Sequence, residues 1–348
     1  MRNATRLLYT AYTAAVAEMN GIEDVTKTFN VEPSVAQKLE VKAQESSAFL
    51  SSIGIYPVDE LRGATVGITS GGMIASRTNT QMGSGAVRRQ PKDPSGLVDR
   101  EYQLAKTNFD TMLPYAKLDT WAKFPDFAQR IQGAILETIA LNRIAIGWNG
   151  VSVAATSDPV ANPLGQDVNK GWLQYLRDHA SENVISEGSK VDGKVTVGPG
   201  GDYATLDALA WDARQSMPSW ARGRTDLVVV TGSQLLHDKY FPLINKDRDP
   251  TEQIARDLIM SSKRLGNMQA TETPYFPEDA LLITPLKNLS IYYQDGKRRR
   301  HIVEEPQYDR TADYQSSNEG YVLEDTDLAM LIENIEVLDK DGDGVADA

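Results

Sequence analysis

Apolar residues return every three or four positions in two stretches near the start of the chain. Leu7, Leu8, Ala11, Ala14, Ala15 and Met19 predict a short amphipathic helix over 4–19, stopped at Asn20-Gly21. Val35, Leu39, Val41 and Phe49 predict a second, over 32–51, with Pro33 in a first turn that tolerates it. The polar residues 23–30 between them read as a linker.

From 53 to 115 the period changes to two. Alternating runs at 53–58 and 65–69 are answered by runs at 102–104 and 109–113, which predicts two groups of strands. Between them, 70–99 is rich in Gly, Ser, Thr, Asn and Arg. A compact domain rarely keeps so long a loop without structure of its own, so the pattern points to an extended hairpin arm that finds its partners on another subunit.

The strongest helical signal follows. Trp121, Phe124, Phe127, Ile131, Ile135, Ile139 and Ile146 recur at helical steps, entered through Asp119 and Pro125 and stopped at Asn149-Gly150. About 23 to 27 residues at 1.5 Å each make a rod of about 35 to 40 Å. Residues 151–200 are punctuated by turns around a helix at 170–179. Helices at 205–217, 233–243 and 251–262 then alternate with strands at 226–231, 281–284 and 289–293. The pattern at 299–303 and 320–338 reads as β with a short helical stretch at 328–332, before an acidic tail from Asp339.

Composition narrows what such a chain does. At ~100–200 residues per domain, 348 residues with 41% hydrophobic content suggest about two domains. The greasiest run, 131–148, is interrupted by Gln132, Glu137, Asn142 and Arg143, so no membrane span is expected. Thr10, Tyr12 and Thr13 dilute any secretory core at the start, and a cytoplasmic product is expected. The absence of cysteine removes disulfides, thiolate metal sites and thiol nucleophiles. With 36 Lys and Arg against 48 Asp and Glu, the net charge of −12 disfavours tight duplex binding. Acidity fits a container whose wall must not adhere to phosphate as well as it fits an ordinary soluble enzyme, and it decides nothing alone.

Catalytic groupings are missing. His179, His237 and His301 are far apart in sequence and lack ligand or triad spacing. The glycine stretches at 67–72, 83–85 and 198–201 lack the Lys-Ser/Thr completion of a phosphate loop and read as turns. No catalytic residue and no cofactor is expected. Asp339, Asp341 and Asp343 reproduce the opening of a calcium loop, with Gly344 for the bend, but no glutamate stands at its twelfth position. They are weak metal candidates, and a calcium-dependent interaction module resting on this tail is the alternative function. Two basic clusters remain, at 88–93 and 297–301. Without interleaved aromatics they read as charged turns or inter-subunit contacts, with Arg88, Arg89, Gln90 and Lys92 as the contact candidates.

Several long strings carry a family resemblance. Val31-Glu32-Pro33-Ser34-Val35-Ala36-Gln37-Lys38-Leu39, Gln44-Glu45-Ser46-Ser47-Ala48-Phe49-Leu50 and Arg89-Gln90-Pro91-Lys92-Asp93 resemble the major capsid protein of Peduovirus-type (P2-like) tailed bacteriophages. So do Gly200-Gly201-Asp202-Tyr203-Ala204-Thr205-Leu206-Asp207-Ala208-Leu209, Asp226-Leu227-Val228-Val229-Val230, Asp238-Lys239-Tyr240-Phe241-Pro242 and Asn288-Leu289-Ser290-Ile291-Tyr292-Tyr293. The similarity spans nearly the whole chain.

The resemblance implies an α+β Hong Kong 97 (HK97)-like capsid fold. Its parts would be an N-terminal arm at 1–50, with 1–30 removed on maturation, and an extended β-hairpin loop at 51–115. A spine-helix peripheral domain would take 116–150 and 285–338, an axial domain 151–284, and the acidic tail 339–348. It further implies a structural protein that self-assembles as hexamers and pentamers, with scaffold, maturation protease and portal, in the host bacterial cytoplasm. The icosahedral shell would enclose double-stranded DNA without reading its sequence. The calcium-like tail and the lysine–asparagine cross-link of some relatives cannot be carried over, since no motif of the family stands behind either here.

Overall fold

The computed structural model describes residues 1–45, 47–65, 75–80, 88–89, 91, 100–244 and 263–338. The expected first helix is α1, Asn3–Met19. A two-residue strand β1, Phe29–Asn30, follows it. The single helix expected over 32–51 is two helices, α2 (Pro33–Glu45) and α3 (Ala48–Ser52). Ser47 has extended backbone and its hydroxyl accepts from the Leu50 N–H, which starts a new helix and turns Phe49 and Leu50 into the core.

The strands of 51–115 divide between two sheets. β2 (Gly54–Val58), β5 (Ala105–Asn108) and β6 (Thr111–Pro114) all join a seven-stranded sheet. Only β3 (Arg62–Thr65) and β4 (Arg100–Gln103) form a separate antiparallel hairpin. The expected strand at 65–69 and the long glycine-rich stretch fall largely outside the described residues. Next come α4 (Tyr115–Trp121) and α5 (Phe127–Asn149). Trp121 and Phe124 therefore lie ahead of the long helix, which has 23 residues and spans about 35 Å.

Two glycines at the end of helix α5 stand where a side chain would not fit. A Cβ on Gly150 would stand 2.0 Å from the Asn169 carbonyl oxygen, and one on Gly147 would stand 2.3 Å from the Trp172 ring. The first half of α5 is amphipathic, whereas from Arg143 to Trp148 every residue is buried.

The chain continues through α6 (Trp172–His179), β7 (Val184–Ile185), β8 (Val195–Val197), α7 (Leu206–Ser216), β9 (Val228–Thr231) and α8 (Ser233–Ile244). Helix α7 is capped by Thr205, which accepts from the Ala208 N–H, with Asp207 in its first turn and Arg214 in its last. The helix expected at 251–262 lies outside the described residues. The remaining strands are β10 (Arg264–Leu265), β11 (Met268–Glu272), β12 (Leu281–Thr284), β13 (Leu289–Gln294), β14 (Arg299–Glu305), β15 (Arg310–Leu323), β16 (Met330–Ile332) and β17 (Ile335–Val337). The helical stretch expected at 328–332 is thus a strand, because Met330, Leu331 and Ile332 are buried and Met330–Ile332 pair with Leu281–Ile283.

The seven-stranded sheet runs β1-β14-β15-β13-β2, with β5 and β6 on the other edge of β15. The second sheet runs β10-β11-β9-β12-β16-β7. Alternation divides its side chains cleanly. Val230, Leu282 and Leu331 join α6 and the first sheet in one core. Val229, Leu281, Ile283, Met330 and Ile332 face α7 and α8 in another. A third core lies under the first 45 residues, where Tyr9, Val16, Phe29 and Leu39 meet Phe127, Ile131 and Ile139 of α5. Of the strands expected over 285–338, β13 to β15 are in the first sheet, while β16 and β17 pair with β12, β7 and β8.

Candidate assembly surfaces

The hairpin β3–β4 is rooted firmly. At its base the Leu104 N–H donates to the Leu61 carbonyl at 2.9 Å, and buried Leu104 lies over Gly320 of β15. A Cβ at Gly320 would come within 2.9 Å of the leucine, so glycine makes the contact possible. The Tyr102 ring stands edge-on to Tyr292 at 5.2 Å, and Tyr292 to Tyr56 at 6.2 Å. The Arg62–Glu101 pair across the hairpin is exposed on both sides and adds little. Beyond this root the two strands pair with no other strand among the described residues.

Behind the hairpin lies a buried polar network that links the first 45 residues, the long helix and the first sheet. Glu40 of α2 accepts from Arg143 of α5 at 2.6 and 3.1 Å and from Arg298. Arg143 also holds Glu319 of β15 at 2.6 and 3.0 Å. Arg298 donates to Gln315 at 3.2 Å, and Gln315 to Asp313 at 3.2 Å. Asp313 accepts from Arg300 at 3.0 and 2.7 Å, and Arg300 donates to the Tyr12 hydroxyl of α1 at 3.0 Å.

Three carboxylates thus balance three guanidiniums. Burial alone would raise the Glu40 carboxyl, but Arg143 and Arg298 outweigh it and hold it below its ordinary value. Burial raises the Tyr12 hydroxyl against the pull of Arg300. These groups serve as fasteners, since their hydrogen bonds are spent on one another.

The basic cluster at 297–301 is therefore neither a nucleic-acid patch nor an inter-subunit contact at its two principal positions. Arg298, just ahead of β14, and Arg300 on it are buried and paired within the chain; along β14 alternation sends Arg300 and Ile302 to the buried face. Along β15, Thr311, Asp313, Gln315, Ser317 and Glu319 take alternate positions, and all five are buried.

The other positions singled out earlier are scattered. Arg88 and Arg89 are exposed and make no ion pair among the described residues, while Gln90, Lys92, Asp339, Asp341 and Asp343 lie outside them. His179 is on α6, His237 on α8 and His301 on β14. The 198–201 stretch is a turn, with Gly198 and Gly200 at φ of 137° and 78°. Asp202 behind it accepts from the hydroxyl and N–H of Thr196 and from those of Ser189, which hold its carboxyl well below the usual range, and also from the Lys190 N–H. No helix among the described residues is long and apolar enough to cross a membrane.

Comparison with known proteins places this architecture. Residues 8–335 match the family described as "Phage major capsid protein, P2 family". The capsid protein of Escherichia phage P2 is 48% identical over 347 residues, covering 97% of this chain and 96% of the relative. The major capsid protein of Serratia phage KSP20 is 40% identical over 345 residues, 96% and 97% of the two chains. Among solved structures, a chain of the satellite phage P4 procapsid with its size determination (Sid) protein superimposes with a TM-score of 0.79. It is 45% identical and covers 97% of this chain and 99% of that one. The capsid of an empty GTA particle shares the fold at 15% identity, with a TM-score of 0.50 over 83% and 90% of the two chains.

Proposed function

The chain belongs to the P2 family of phage major capsid proteins and is a structural, non-enzymatic shell subunit; from that premise we propose how its parts divide the work of assembly. Residues 1–50 act as an N-terminal arm and 51–115 as the extended loop. Helix α5 is the spine of a peripheral domain formed by 116–150 and 285–338, and 151–284 form the axial domain at the capsomer centre. The pairing of β16 and β17 with strands of that segment supports extending the axial domain to include them. Residues 339–348 are an acidic tail, and the relatives lend no support to a calcium module.

A hairpin lying across a neighbour completes a surface that one subunit leaves open, and closed symmetry multiplies modest contacts into a stable shell. Arg88, Arg89, Gln90 and Lys92 contact that neighbour. The protein assembles as hexamers and pentamers into an icosahedral shell in the host bacterial cytoplasm, with scaffold, maturation protease and portal. The protease removes 1–30, cutting within 23–30. The shell encloses double-stranded DNA, and a net charge of −12 supports a wall that does not adhere to it.

The observation that carries this reading is the β3–β4 hairpin, rooted on β15 and Tyr292 and paired with no further strand among the described residues. Deleting 71–93 tests it. Folded, soluble subunits that fail to close shells under negative-stain microscopy are expected, and normal shells from that deletant would overturn it.

A further inference from the structure

We propose that the groove bounded by α1, α2 and the start of α5 receives an amphipathic helix with acidic flanks, supplied by another protein. The groove has a volume of about 1030 Å³, against about 240 Å³ for a second pocket between α5 and the 157–168 loop. Its walls are apolar: Leu8 and Ala15 from α1, Val35 and Val41 from α2, Phe127 and Ala128 from α5. At the rims Met19 is 55% exposed, Val41 52% and Leu8 40%. Large apolar side chains left open along a groove mark a surface that something covers. Three helices bounding one apolar trough fit a fourth, and the alanines let its backbone approach to the usual ~8–10 Å.

Charge selects the occupant. Lys38 and Lys42 stand one turn apart on the exposed side of α2, line the groove and make no ion pair among the described residues. They outnumber Glu45, the one acid that lines the groove, and leave the rim net positive on a chain whose net charge is −12. Helix α1 of a second copy would bring Arg2 just ahead of it, Arg6, which already pairs with Glu304, and Glu18 as its one acid. Like charges would then oppose each other across the rim. A partner carrying glutamates or aspartates beside its leucines meets both the floor and the rim.

The test uses the full chain and two fluorescent helical peptides of about 18 residues, each long enough for five turns. Both carry leucines on one face; one has glutamates flanking that face and the other lysines. In anisotropy titrations at low salt the glutamate peptide binds and the lysine peptide does not. The Lys38→Glu/Lys42→Glu double variant weakens the first about tenfold and admits the second. Val41→Glu abolishes binding, with unchanged circular dichroism melting as the control for folding. Three outcomes overturn the proposal: equal binding of the two peptides, no binding of either by about 100 µM (weaker than roughly −5.5 kcal/mol), or no effect of the lysine reversal. If Val41→Glu abolishes self-association of the protein alone and the peptides do not compete, the occupant is a second copy and the proposal also falls. None of these readouts depends on shell closure, so the assembly reading stands or fails separately.

Discussion

Arg143 and Glu319 meet in a two-point clasp: Nη2 and Nε of the guanidinium reach the two carboxylate oxygens at 2.6 and 3.0 Å, with both side chains out of solvent. The residues are 176 apart in sequence, and the clasp fixes the long helix to the central strand of the first sheet. Glu40 on the other side of the same guanidinium extends the fastening to α2.

Removing one acid unbalances this network. Glu319→Gln or Glu40→Gln leaves a buried guanidinium uncompensated, and breaking such a pair costs about 3–5 kcal/mol. Urea denaturation of the unassembled subunit measures it. A loss below about 1 kcal/mol would mean that the charges behave as surface pairs do.

The same network sets an acid limit. The folded Glu40 carboxyl lies below its ordinary value of 4.5, so its contribution is complete above that pH and is lost as pH falls through the folded value. Between about pH 6 and 8 it changes nothing, because the carboxyl is ionised in both states. The urea midpoint of the wild type should therefore fall on acidification below about pH 4.5, and more shallowly in Glu40→Gln.

Two glycines on one helix should respond oppositely to alanine. Around Gly133 nothing lies within 4 Å of the added Cβ, so Gly133→Ala gains helix propensity, up to about 1 kcal/mol. At Gly147 the Cβ would stand 2.3 Å from the Trp172 ring, and the overpacking of about 1–3 kcal/mol outweighs the gain. Thermal melts of the two variants on opposite sides of the wild type would confirm the crossing of α5 and α6; two upward shifts would refute it.

Trp172 is both a packing and a polar anchor. Its ring contacts Trp148, Phe49 and Tyr321 at 4.8, 6.1 and 5.3 Å, and its N–H donates to the Ser290 carbonyl at 2.9 Å. Trp172→Phe should cost about 1 kcal/mol or somewhat more through that hydrogen bond. Trp172→Ala should cost about 3–5 kcal/mol and erase the near-ultraviolet dichroism of the cluster. Equal effects of the two substitutions would show that the ring itself contributes nothing.

Much of this fold was legible because its signals are local. Helices α1, α6 and α7 follow from apolar spacing and end residues, and β9, β12 and β13 from short runs of Val, Ile and Leu. The long helix is visible too, but the period does not mark its start, since Trp121 and Phe124 keep that period while sitting on α4 and in the turn after it. The break at Ser47 was hidden for a related reason. Periodicity continues across it, and only the burial of Phe49 and Leu50 requires the chain to turn.

The polar half of β15 shows the deeper limit. Read alone, Thr311, Asp313, Gln315, Ser317 and Glu319 look like a solvated strand or a loop, and the basic cluster at 297–301 looks like a surface patch. The amino-acid order by itself determined where helices and apolar strands form, because those depend on neighbours within a few residues, and its long strings carried the family likeness. Only the tertiary structure decided that β2, β5 and β6 leave the hairpin for the main sheet, and that Arg143, Arg298 and Arg300 are buried among the acids of α2 and β15. Charges leave water only when partners far along the chain arrive together, and no local pattern records that meeting.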